Sequence, residues 1–107
     1  MKKDYKKVEA SIYNLRFWIK DCEPTELQQR YESYVVEVGF HVVGFNDHHF
    51  ENQGYTCFWL LAESHLALHS FPESQKTYVE LSSCNLDKLK KFQALTVSEV
   101  IAHKDLP

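Results

Sequence analysis

Apolar and aromatic residues mix with polar ones from Val8 to Ile19 in a pattern that predicts a first strand. Asp21-Cys22-Glu23-Pro24-Thr25 is a turn, with either Thr25 capping the next element or Pro24 opening it. Leu27, Tyr31, Tyr34, Val35 and Val38 then recur at helical spacing, which predicts an amphipathic helix stopped by Gly39. Phe40 to Phe45 reads as a second strand and Asn46-Asp47-His48-His49 as a polar loop. Tyr55 to Ala62 is almost wholly apolar, so a central third strand is expected there. His65 to Ser70 is a fourth strand, broken by Pro72, and Ser74-Gln75 turns into a fifth, Thr77 to Ser82. Leu86, Leu89 and Phe92 mark a shorter helix after Cys84, and Val97 to Ala102 reads as a last strand. This order predicts an α+β fold, a two-layer α/β sandwich: a mostly antiparallel sheet with two helices on one face. The opposite face would be left to water, which predicts a homodimer.

Length and charge narrow the picture. A chain of 107 residues predicts a single domain over residues 1–107, able to bury a core without staples. Net charge is −3, and the one basic block, Lys2, Lys3, Lys6 and Lys7, reads as a solvated end. Nucleic acid is therefore not an expected partner. No apolar run approaches the roughly 18 residues of a membrane span, and no secretory signal is visible at the start. Cys22, Cys57 and Cys84 are odd in number and widely spaced, which favours free thiols in a cytoplasmic protein over disulfides or zinc.

The polar groups inside the apolar region need partners or a task. Glu63-Ser64-His65 places a carboxylate, a hydroxyl and an imidazole in a row at the head of the fourth strand. Ser64 with His65 or His69 would suit a hydrolase, but the G-x-S-x-G elbow is absent. His48, His49, His65 and His69 invite a metal reading. On a strand, however, His65 and His69 stand roughly 13 Å apart, too far for one ion, so no metal is expected. Each histidine taken alone is best read as a satisfied core or loop group.

Taken together, these residues resemble a known family. The stretch LAESHLALHSFPES holds E-S-H, a histidine four residues on, aromatic-Pro-Glu, and then a cysteine eleven residues after that glutamate. With Asp21-Cys22-Glu23-Pro24, His48-His49-Phe50, Gly54-Tyr55-Thr56 and Ser82-Ser83-Cys84, the chain is similar to the small prokaryotic S-adenosylmethionine decarboxylases over about two thirds of its length. The resemblance implies a proenzyme that cuts itself between Glu63 and Ser64 and converts Ser64 to a pyruvoyl cofactor. That group would hold the substrate amine as a Schiff base and accept the electrons left by CO₂. The resemblance further implies His69 as the processing base, Thr56 as a helper hydroxyl and Cys84 as the proton donor. Phe50, Phe71 and Glu73 would hold the adenine, sulfonium and ribose of S-adenosylmethionine. The product would supply aminopropyl groups for spermidine.

The sequence also departs from the family pattern. Thr56 stands where serine is frequent, and Phe71 where tryptophan is usual. Ser74-Gln75-Lys76-Thr77 replaces Gly-Tyr and small residues, and Asn85 replaces the glycine after the cysteine. These changes touch the pocket wall more than the cleavage machinery. Two alternatives therefore stand beside the first expectation. One is a pyruvoyl decarboxylase of ornithine or arginine, and the other is a non-cleaving homologue that acts as a binding or regulatory subunit.

Overall fold

Pro24, with no N–H to leave unsatisfied, is the first residue of helix α1, Pro24–Glu37, in the computed structural model, which describes residues 10–103. The cap is Glu23 rather than Thr25: its carboxylate accepts from the backbone N–H of Thr25 and Glu26 at 3.2 and 3.0 Å. Leu27, Tyr31 and Val35 form the buried stripe of α1, and Gly39, at φ +98°, ends it as only glycine does readily. The second helix, α2, Leu86–Thr96, is capped by the Asn85 side chain, which accepts from Lys88 N at 3.0 Å.

The strands are β1 Tyr13–Ile19, β2 Val42–His49, β3 Tyr55–Leu61, β4 Ser64–Phe71, β5 Lys76–Ser83 and β6 Val100–His103. They form one sheet in the order β2-β3-β4-β5-β1-β6, every neighbour antiparallel. Both helices contribute to the core on one side of it. There Phe17, Ile19, Cys57, Trp59, Leu66, Leu68, Val79 and Leu81 meet Leu27, Tyr31, Val35 and Phe92. Polar ties fasten α1 to this layer, Arg30 and Tyr34 joining Tyr31 on Glu99. Trp59 Nε1 donates to Glu32 at 3.0 Å, and Tyr31 donates to Glu99 at 2.9 Å, just before β6.

Several boundaries differ from the sequence reading, among them the first strand, which starts only at Tyr13. Asn46 to His49 is not a loop but the end of β2, because an edge strand with one side open to water can carry polar residues. The second strand begins at Val42, while Phe40 is buried beside the end of α1. Val97–Glu99 is a 3₁₀ turn, so the last strand starts only at Val100. The expected start of the first strand at Val8, and the lysine head, lie outside the described residues.

Candidate active site

β3 and β4 are joined by two residues only, Ala62 and Glu63, since Leu61 pairs directly with Ser64. Glu63 sits at φ +61°, in the left-handed region where a turn of this kind favours glycine or asparagine. A residue with a Cβ pays about 1–2 kcal/mol to stand there. The strained residue is the one whose carbonyl carbon joins Ser64.

Ser64 opens β4 with its side chain on the helix-facing side, buried, and its hydroxyl donates to Ser83 Oγ at 2.7 Å. Ser83 is its cross-strand partner at the end of β5 and in turn accepts from the backbone N–H of Asn85 at 2.9 Å. The next residue, Cys84, is exposed, and its thiol donates to Glu63 Oε1 at 3.4 Å. That carboxylate raises the thiol pKa and so disfavours the thiolate. Glu63, Ser64, Ser83 and Cys84 are thus one cluster at one end of the sheet. Cys57 is different in kind: buried on β3, its thiol is pushed up to about 12 by desolvation and is inert.

A second cluster lies on the other face. Thr56, on β3, pairs with His69, on β4, and Thr56 Oγ1 meets His69 Nδ1 at 3.1 Å. Beside them is a cavity of about 260 Å³ lined by Phe50, Asn52, Gly54, Thr56, His69, Ser70, Phe71 and Glu73. A volume below the ~300–1,000 Å³ that encloses a drug-sized ligand describes part of a pocket. Phe50 and Phe71 are both exposed, and Phe71 leans on Trp18 at 6.0 Å between ring centroids. Lys76 does not line the cavity: its Nζ lies over the Trp18 ring at 4.5 Å. A larger hollow of about 510 Å³ runs along α1, past Gln28, Glu32, Ser33 and Val36. Neither Ser64 nor His69 lines it.

The sequence-predicted residues therefore fall into two sets. Glu63, Ser64 and Cys84 come together, and so do Phe50, Thr56, His69, Phe71 and Glu73. The two sets are not brought together within one chain. Ser64 and His69 are five positions apart on β4, an odd number, so their side chains point to opposite faces, about 17 Å apart along the strand.

The sequence matches the family of S-adenosylmethionine decarboxylase over residues 18–104. The chain belongs to that family. It is 33% identical, over 70 residues, to an S-adenosylmethionine decarboxylase proenzyme of Parasynechococcus marenigrum (strain WH8102). That match takes in 60% of this chain and 55% of the relative, so the chain spans about half the length of the curated protein it matches. The crystal structure of the adenosylmethionine decarboxylase from Aquifex aeolicus VF5 superposes with a TM-score of 0.72 at 15% identity, over 89% of this chain and 84% of that one. The fold is shared.

Within this S-adenosylmethionine decarboxylase fold, sequence reasoning missed two partners. Ser83 holds the Ser64 hydroxyl, and Asn52 lines the cavity while its side chain accepts from Gly54 N at 3.2 Å. Ser83 falls within the matched Ser82-Ser83-Cys84, but its contact with Ser64 comes from register: the β4–β5 pairing sets it opposite Ser64.

Proposed function

We propose that the protein is a self-processing decarboxylase of S-adenosylmethionine, and that Glu63–Ser64 is the bond it cuts. The observation that carries this reading is the left-handed Glu63 joined to a buried, hydrogen-bonded Ser64. Strain at Glu63 raises the ground state of the bond to be broken. Ser64 Oγ attacks the Glu63 carbonyl carbon, its proton passes to the departing amide nitrogen, and an ester replaces the peptide bond. A base then removes the Ser64 Cα proton. The Cβ–O bond breaks, Glu63 leaves as a carboxylate, and the dehydroalanine left behind rearranges and takes up water, losing ammonia.

The residues present fit the group this would make. Residue 64 stands beside Ser83 and within one residue of the Cys84 thiol, so a proton donor is already at hand. A pyruvoyl group there supplies a carbonyl to hold the substrate amine and to accept the electrons released with CO₂. Cys84, whose thiolate the Glu63 carboxylate disfavours, delivers a proton to carbon. Phe50 and Phe71 offer aromatic faces to an adenine and a sulfonium, and Glu73 accepts from ribose hydroxyls.

Thr56 and His69 lie about 17 Å along β4 from Ser64 and cannot serve it within one chain. A second copy supplies them. The open face carries exposed Phe58, Leu60 and Phe71, an apolar surface that a second copy would cover. In a two-fold dimer each protomer's His69 and cavity would complete the partner's Glu63–Ser64 cluster, giving two equal sites.

Intact-mass measurement tests the core of this reading. Purified protein is expected to separate into residues 1–63 and 64–107, the second beginning with a pyruvoyl group and resisting Edman degradation. The Ser64→Ala chain should stay whole. A wild-type chain that remains single after long incubation would return the protein to the non-cleaving alternative.

A further inference from the structure

Six residues on the open face stand directly opposite one another across the whole sheet: Ala102, Trp18, Tyr78, His69, Thr56 and His48. The proposed processing base is in the middle of this row. On one side Thr56 engages Nδ1 at 3.1 Å. On the other, Tyr78 stacks on the imidazole with 6.1 Å between centroids and 24° between planes. Tyr78 is itself anchored. Its hydroxyl donates to Glu80 Oε1 at 2.6 Å, and Trp18 packs against its far side at 5.3 Å. Trp18 also carries the Lys76 ammonium on its ring and braces Phe71 of the cavity.

One hydrogen bond fixes one atom of an imidazole and leaves the ring free to pivot about it. A general base must be held to roughly 0.5 Å and 10–20°. We propose that Tyr78, braced by Glu80 and Trp18, is the positioning residue that fixes the plane of His69 and leaves Nε2 as the nitrogen that takes the proton. This rests on the reading of His69 as the processing base. The stack supplies what Thr56 cannot, a constraint on orientation. Misplacing a catalytic group by about 1 Å costs on the order of a hundredfold, so a clamp of this kind acts on rate rather than on stability alone. Because Trp18 touches both Tyr78 and Phe71, the same brace serves the base and the wall of the cavity.

Two measurements on the full chain test the clamp. The first is the first-order rate of self-cleavage, followed by intact mass. Tyr78→Leu should slow it roughly ten- to a hundredfold, and Tyr78→Phe, which keeps the ring, should recover it to within about fivefold. Glu80→Ala, a change at a half-buried surface position, should slow cleavage about threefold by loosening the tyrosine. The second is ¹⁵N NMR of the His69 ring in the uncleavable Ser64→Ala chain. It should report one tautomer, a mixture once Tyr78→Leu is added, and one tautomer again with Tyr78→Phe. Wild-type cleavage rates in both Tyr78→Leu and Glu80→Ala, or ring signals indifferent to Tyr78, would overturn the proposal. If the wild-type chain never cleaves, the self-processing reading fails by itself. The NMR series then decides the clamp independently.

Discussion

The two clusters differ in what they lack. The Glu63–Ser64–Ser83–Cys84 end has a left-handed residue, a buried hydroxyl and an exposed thiol, but no imidazole beside it. The Thr56–His69 cluster has an imidazole, a hydroxyl and a cavity, but lies away from the Glu63–Ser64 bond. Each is well ordered by its own cross-strand partners. On the proposed reading, opposite faces of one sheet carry complementary halves of one chemistry. A strand of regular pleat cannot turn Ser64 and His69 to one face without a bulge between them, and a bulge there would swing core residues of β4 outward. The difference points to assembly, rather than local rearrangement, as the way the halves meet.

The most severe way to break this comparison is to disable one half in each of two chains. Ser64→Ala and His69→Ala proteins should each stay uncut when made alone. When co-expressed or refolded together, the mixed dimers should cleave the His69→Ala chain, using His69 of the Ser64→Ala partner. Gel or mass analysis reads the result as all or none. Failure of the mixture to cleave, with mixed dimers demonstrated, would mean that the halves meet in some other way.

A smaller break falls within the first cluster. Cys84→Ala leaves Glu63, Ser64 and Ser83 in place, so self-cleavage should persist. Turnover should fall about 10²–10⁴-fold, the usual worth of a placed general acid. Misdirected protonation should also inactivate the enzyme during turnover, through transfer of the product's amine to the cofactor. Normal turnover of carboxyl-labelled S-adenosylmethionine by this variant would make the thiol a bystander. In the second cluster, Phe71→Ala should weaken substrate use by roughly 0.5–2 kcal/mol, the scale of stacking and cation–π contacts. Phe71→Trp should preserve or improve it. CO₂ released from ornithine or arginine but not from S-adenosylmethionine would reassign the cavity to a basic amino acid.

Much of the fold was legible because the core pattern is strong. Leu27, Tyr31 and Val35 mark α1, and Leu66 and Leu68 alternate with His65, Ala67 and His69 along β4. The polar end of β2 was misread because edge strands need not be apolar. β3 looked wholly buried because Phe58 and Leu60, on the open face, are as apolar as Cys57 and Trp59 beneath them. The constituents of the candidate site were legible through the spacing of their motif. Their division was also present in the sequence, as the odd separation of Ser64 and His69. The clamp on His69 was not, since Tyr78 and Trp18 come beside it only through the pairing of β4 with β5 and of β5 with β1.

The subtlest contrast concerns the two cysteines whose thiols are raised for opposite reasons. Cys57 is raised by burial, and no reagent reaches it in the native fold. Cys84 is exposed, and the first cause of its shift is the hydrogen bond it donates to Glu63. A raised thiol pKa means less thiolate near neutral pH, and the thiolate is the species that alkylates. Removing the negative charge should lower the Cys84 pKa and increase its thiolate fraction at a given pH. In the uncleavable Ser64→Ala chain, Glu63→Gln should therefore speed iodoacetamide labelling of the Cys84 peptide severalfold at pH 8. The pH at which that labelling is half-maximal should move downward. Cys57 should stay unlabelled in both proteins until they unfold. Equal Cys84 labelling with and without the Glu63 charge would mean that the carboxylate does not control the thiol, and the first cluster would lose the feature that disfavours its thiolate.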